Sequence, residues 1–429
     1  MTTSYESPTL QLLADGGLFD PNGTPRHLMV RVQAPVRSTS TKRAAISVAL
    51  VIDRSGSMNG RKFENAKQAV WQAMQRLTDQ DIAAVVAYDD DVLVLLPSGP
   101  MTADRRMEIR QSLGQLATGG GTNMISGWLT GCAQADVRRD GRLGRCLLLT
   151  DGLANVGVTD PATISRHATA LRERGIVTST FGVGDDFDEM VLVGLAESGG
   201  GNFHDIATGD GIPAAIEQEL GKALEVACAD VQLVLTPAPG MSLTPVSPWY
   251  TGAADDHSWT LRLPDLVHGQ QLDIPFRVAM PSLNQDACLS AHLIVAGVHL
   301  PMGRVTWHPA TVEQVKSQDF DPEVIDAVAV AMAAQARREA LANIRDGDAG
   351  QARRRIREAS TDLASLGRAT HRTTELVLEL EQEERVYSEP MARRELKSRM
   401  SATVHESHGR TRSGQSIRLP VLDYDSTMT

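Results

Sequence analysis

Through the first half of the chain, short apolar and β-branched runs alternate with segments whose apolar positions recur three and four residues apart. Runs at 44–53, 82–88, 92–96, 146–151, 176–183 and 202–206 read as strands, and the periodic segments at 61–77, 103–116, 124–138, 161–174, 188–197 and 211–226 read as helices. That alternation predicts a doubly wound, Rossmann-like α/β sheet. The link Asp89-Asp90-Asp91 allows only a hairpin, so the second or third strand is an antiparallel edge strand. The three aspartates read as a solvated turn, because no further acidic ligand follows at the spacing of a calcium loop.

Between 228 and 308 the period falls to two. VQLVLTP, SWTLRLPDL, QLDIPFRVAM, CLSAHLIVA and GRVTWHP are short alternating strands separated by Pro and Gly, the pattern of a small all-β sandwich. HLMVRVQAPV near the start of the chain alternates in the same way, and a single strand is not stable alone. Its natural place is in the sandwich, which would make the α/β segment an insertion. Asp321-Pro322-Glu323 then opens a helix, with Asp as N-cap and Pro at the first position. Periodicity breaks at 345–348 and resumes over 349–366 and 371–386, predicting a helical hairpin with a third helix, whose alanine stripe serves close packing. The expected division is an N-terminal segment, 1–43, whose strand joins the sandwich; an α/β domain, 44–226; a β-sandwich, 227–310; a helical domain, 315–387; and a mostly flexible tail, 388–429, with a short helix at 390–400.

Composition narrows the function. A chain of 429 residues needs more than one core, and 42% hydrophobic with 22% charged residues is the balance of a soluble globular protein. A formal net charge of -11 argues against general nucleic-acid affinity. Cys132, Cys146, Cys228 and Cys288 are far apart and show no metal-ligand spacing, so they read as core residues in a reducing compartment. No apolar run approaches the roughly 18 residues of a membrane span, and the first residues lack the features of a signal peptide. A cytoplasmic location is therefore expected.

Candidate chemistry sits where buried strands stop. VALVIDRSGSM carries an apolar run onto Asp53, Ser55 and Ser57; TGGGTNM places Thr122 in a glycine-rich loop before a helix; LLLTDG ends on Asp151. Loops leaving the carboxyl ends of parallel strands face a ligand crevice, and hard cations take oxygen donors. Taken singly, Ser57 or Thr122 would read as a helix cap.

DRSGSM, the Thr of GGGTN and the Asp of LLTDG, in this order and spacing, resemble the metal-ion-dependent adhesion site of von Willebrand factor A domains. GVGDDFDEMVLVGLAESGGGNFHDI resembles the segment holding that family's fifth and sixth strands, and the likeness extends over about 44–226. The flanking segments are similar to bacterial proteins in which such a domain sits inside a larger intracellular architecture. The resemblance implies that Ser55, Ser57 and Thr122 ligate one divalent cation directly, with Asp53 and Asp151 holding it directly or through water. It further implies Mg²⁺, with Mn²⁺ or Ca²⁺ as alternatives, and a protein partner whose Asp or Glu completes the coordination. Asn59-Gly60-Arg61 stand where some integrin relatives carry a second acidic pair, so a single metal is expected. Arg54, Asn155, Asp185 and Asp186 are candidates for the partner-binding rim. The expected function is a non-enzymatic adaptor or scaffold of open oligomeric state. Its rivals are a Mg²⁺-dependent hydrolase, for which no base is evident in the site loops, and a self-ligating scaffold using Asp423 or Asp425.

Overall fold

The computed structural model describes residues 7–23, 25–37, 43–153, 156–247, 252–254, 258–282, 284–366, 369–387, 391–407 and 410–412. Its central strand, Ile46–Asp53, is buried at every residue. Side chains alternate between two cores, as strand geometry requires: Val48, Leu50 and Ile52 enter one, Ala49 and Val51 the other. Among the described residues six helices cover this sheet: α1 (Arg61–Arg76), α2 (Ala103–Gln115), α3 (Met124–Val137), α4 (Pro161–Glu173), α5 (Glu189–Ser198) and α6 (Ile212–Leu224). Helices α1, α2 and α6 close the first core; α3, α4 and α5 close the second. Burial on both faces explains why the strands read as continuous apolar runs rather than alternating ones.

The sheet order is Val92–Pro100, Ile82–Tyr88, Ile46–Asp53, Leu143–Thr150, Ile176–Val183, Gly200–Ile206. All neighbours are parallel except the edge pair, where Val92–Pro100 runs antiparallel to Ile82–Tyr88. The carboxyl ends of the parallel strands therefore open on one side, with strand Ile46–Asp53 beside Leu143–Thr150.

Strand Arg26–Gln33 lies between Thr9–Ala14 and Gln270–Ala279, with Val30 opposite Ile274. The chain thus leaves this sheet, builds the whole α/β unit, and re-enters the sandwich through Val231–Pro237 of the opposite sheet before rejoining this one at Ser242–Pro245. A second sheet, containing Val231–Pro237, Ala287–Val295 and Gly303–Pro309, packs against the first around Phe19, Phe276 and Trp307.

The helical part comprises α7 (Val312–Ser317), α8 (Pro322–Arg345), α9 (Ala349–Ala364), α10 (His371–Val386) and α11 (Arg393–Ser407). Asp321 caps α8 by accepting from Glu323 N. The α8 stripe Ala329, Ala333, Ala336 and Ala340 packs with Ile356 and Leu363 of α9, Leu376 and Leu380 of α10, and Met400 of α11.

The segment expected to be mostly flexible apart from a short helix has regular structure over 393–407 and 410–412. Helix α11 docks on the α/β domain, and Arg410–Arg412 pairs antiparallel with Gln270–Ala279. The short helix expected at 390–400 is present as α11 and runs on to Ser407; what periodicity does not show is the set of polar contacts that holds it. Lys397 places its ammonium 3.6 Å from the Phe187 ring centroid and 3.4 Å from Glu189, and Arg394 binds the Gly184 carbonyl and Asp205. Asp423 and Asp425 lie outside the described residues.

Candidate metal centre

The three loops singled out in the sequence meet at the carboxyl ends of adjacent strands. Asp53 ends the central strand, fully buried; its Oδ1 accepts from Ser55 N at 2.7 Å and its Oδ2 from Thr150 Oγ1 at 2.7 Å. Ser55 Oγ lies 3.1 Å from Ser57 Oγ, and Ser57 Oγ donates to Asp151 Oδ1 at 2.6 Å. A methyl group on Gly152 would sit 3.6 Å from Thr122 Oγ1 and 3.7 Å from Ser57 Oγ. All five side chains are thereby drawn to one spot. The cap positions of α1 and α3 are Gly60 and Asn123, so Ser57 and Thr122 are not helix caps.

Two features position the Thr122 loop. Helix α3 approaches the sheet closely through Gly127, where a Cβ would meet Tyr88 at 2.6 Å, and Gly131, where it would meet Val51 at 2.2 Å. Four residues apart, they face the sheet together. The second feature is Asp89, which departs from the solvated turn expected at 89–91. It is buried, binds Arg54 at 2.9 Å, and accepts from Gly120 N at 3.3 Å; Asn123 N donates to its carbonyl at 2.7 Å. Only glycine fits beside it, since a Cβ on Gly119 would lie 1.8 Å from its Oδ2. Asp90 and Asp91 are exposed as expected, and Asp90 accepts from Gly121 N at 2.9 Å.

The proposed rim residues have separate fates. Arg54 turns its guanidinium onto Asp89 and braces the first loop against the second, aided by the Gly119 N to Arg54 O bond of 2.7 Å. Asp185 and Asp186 are exposed, Asp185 3.5 Å from Arg394 of α11; Asn155 lies outside the described residues. Sequence reasoning missed Lys62, whose Nζ donates to Asp151 Oδ2 at 2.6 Å. The signal available was its place in the first turn of α1, just after the serine loop. It had no motif to mark it.

Electrostatically the centre is a pair of carboxylates withdrawn from water. Burial pushes the Asp53 carboxyl above its usual range, against the lowering effect of its Ser55 and Thr150 bonds, and the charge of Asp151 adds to the rise. The Tyr88 phenol, fully buried nearby, is raised by burial and by the Asp53 charge. The donors are all oxygens, two of them anionic and three neutral hydroxyls. That set, with the cradle left by Gly152, fits a hard divalent cation.

An open α/β sheet, helices on both faces and an oxygen-lined crevice at its strand ends define a doubly wound α/β domain. Residues 47–218 match the family model of the von Willebrand factor type A domain, and the chain carries a domain of that family. It is similar to YfbK, an uncharacterized protein of Escherichia coli (strain K12), at 31% identity over 204 residues covering 46% of this chain and 35% of that protein. It is also similar to sll0103, an uncharacterized protein of Synechocystis sp., at 25% identity over 284 residues covering 64% of this chain and 65% of that one. The chain therefore spans about a third of the first relative and just under two thirds of the second. A solved structure, a von Willebrand factor type A protein from Catenulispora acidiphila, shares the fold with a TM-score of 0.72 at 19% identity, covering 95% of this chain and 99% of that one. Among the described residues no helix is long and apolar enough to cross a membrane.

Proposed function

We propose that this domain is a metal-dependent protein-capture module. Ser55, Ser57 and Thr122 bind one divalent cation directly, Mg²⁺ in the first instance, and Asp53 and Asp151 hold it directly or through water. The observation that carries this reading is the convergence of five oxygen-bearing side chains from three loops on one cradle, two of them carboxylates buried together. Two carboxylates balance a divalent charge, and neutral hydroxyls do not quench its attraction for a further anionic ligand. When bound, the ion supplies Lewis acidity toward an Asp or Glu side chain of a partner protein.

The surroundings support capture rather than turnover. Leu153, Val156 and Val158 follow Asp151 in the chain and are 55%, 37% and 41% exposed, an apolar border for a partner to cover. His204 is buried against Glu219 at 3.0 Å, and His167 sits on α4. The chain is read as a non-enzymatic adaptor, its sandwich and helices serving as scaffold.

Titration calorimetry with Mg²⁺ and capture from native lysate with Mg²⁺ or with chelator test this together. The wild type is expected to bind one ion per chain and to retain a partner only with Mg²⁺. Asp151→Ala and Asp53→Ala are expected to lose both while keeping the fold by circular dichroism. Capture that persists undiminished in chelator refutes the reading.

A further inference from the structure

Lys62 is the charged group nearest the centre that the capture reading leaves unused. It is the second residue of α1, and its ammonium lies 2.6 Å from Asp151 Oδ2. The other oxygen of the same carboxylate accepts from Ser57 Oγ at 2.6 Å. Both oxygens of Asp151 are thus engaged, one by the hydroxyl set and one by a tethered monocation. Asp151 is fully buried, whereas the Lys62 side chain is 31% exposed. Two glycines lie alongside the lysine, and at Gly209 a side chain would crowd it. A Cβ on Gly184 would stand 3.5 Å from Nζ, and one on Gly209 would press within 2.9 Å of the Lys62 Cα.

The charges decide what such a lysine does. Asp53 and Asp151 contribute two negative charges, and Lys62 returns one, so the centre is one charge short of balancing a divalent ion. An ammonium within hydrogen-bond distance of a buried proposed ligand repels an incoming cation. We propose that Lys62 is a built-in competitor for the metal, sharing Asp151 with it and setting how much divalent ion the site requires. The arrangement keeps a buried carboxylate paired when the divalent ion is scarce, which avoids the penalty of an uncompensated buried charge. It also leaves a flexible cationic side chain beside the position where an acidic partner would arrive, because the four-carbon stem can turn toward solvent. The inference rests on the capture reading, since it presumes that the centre takes a divalent ion.

The test is Mn²⁺ binding to the full chain, followed by calorimetry and by loss of the free-ion paramagnetic resonance signal. The proteins compared are wild type, Lys62→Met, Lys62→Gln, Lys62→Arg and Asp151→Asn. Removing the charge in Lys62→Met and Lys62→Gln is expected to tighten Mn²⁺ binding at least tenfold. Lys62→Arg, which keeps the charge, is expected to stay within threefold of wild type. In chelator, Lys62→Met is expected to melt below wild type and to gain more in melting temperature on saturation with Mn²⁺. A lysine with a purely structural role would instead weaken or leave unchanged the affinity when replaced. Mn²⁺ affinity in Lys62→Met and Lys62→Gln equal to or weaker than wild type overturns the inference while leaving the metal reading standing. Absence of Mn²⁺ binding in wild type and in every Lys62 variant overturns both.

Discussion

At the scale of single residues, the centre depends on groups that never touch the proposed ion. Asp89 joins Arg54 of the first loop to Gly120 of the second, and the missing side chain of Gly119 is what lets it do so. Gly119→Ala is expected to expel the Asp89 carboxylate from its buried seat, costing roughly 2–3 kcal/mol in denaturant unfolding and at least tenfold in metal affinity. Glu197 gives a prediction of a different kind. Burial lifts its carboxyl to about 7, although Arg338 at 3.1 Å pulls the other way. Its unfolded counterpart titrates near 4.5, so between that value and about pH 7 the folded state holds a proton that the unfolded chain has lost. Stability from this group is therefore present at the acid end and falls as pH rises, by an amount on the order of 3 kcal/mol. Glu197→Gln should remove that slope, which denaturant midpoints at about pH 5 and pH 8 would register. The candidate ligands were legible because each lies within a short motif at the end of an apolar run. Asp89 and Lys62 were not, because their roles come from neighbours 30 or more residues away, such as Gly119 and Asp151.

At the scale of elements, α11 is the instructive case. Its face toward the α/β domain presents Arg394 and Lys397, and its apolar contribution to the helical core is Leu396 and Met400. A helix docked chiefly by charge leaves little hydrophobic period to read. Lys397 is almost wholly buried between the Phe187 ring and Glu189, a setting in which a cation–π contact contributes about 2 kcal/mol. Lys397→Ala is expected to loosen α11 and to raise the rate of tryptic cleavage within 393–407 severalfold while the α/β core stays protected. Equal cleavage rates in mutant and wild type would count against the contact. The alanine stripe of α8 was readable in contrast, because small side chains at helical spacing permit close approach whatever the partner.

At the scale of the molecule, the α/β unit is connected at one end to Arg26–Gln33 of one sheet of the sandwich and at the other to Val231–Pro237 of the second sheet, and it is also fastened from the side. Arg145 reaches Asp265 at 2.5 Å, and Arg172 donates to the carbonyls of Arg262 and Leu263 at 3.0 and 3.1 Å. Arg145 is buried, so removing it leaves Asp265 without that partner. The double variant Arg145→Ala with Arg172→Ala is expected to uncouple the two units. Calorimetry should then show two melting transitions where the wild type is expected to show one. Helix α11 and the strand Arg410–Arg412 add a second fastening, since one grips the loop at Gly184 and the other pairs with Gln270–Ala279.

The doubly wound sheet, its antiparallel edge, the period-two strands of the sandwich and the capped start of α8 were determined by the sequence itself. Each is a local pattern enforced by backbone geometry and by which positions must leave water. Only the tertiary structure decided what the polar residues do. It turned one aspartate of the hairpin link into an internal brace, set a lysine on the carboxylate that a metal would need, and drew the helix of the expected tail onto the α/β domain. The physical reason is that hydrophobic burial repeats with the period of its element and so leaves a signature along the chain, whereas a hydrogen bond or ion pair needs just two groups, at any separation, brought within about 3 Å by the fold.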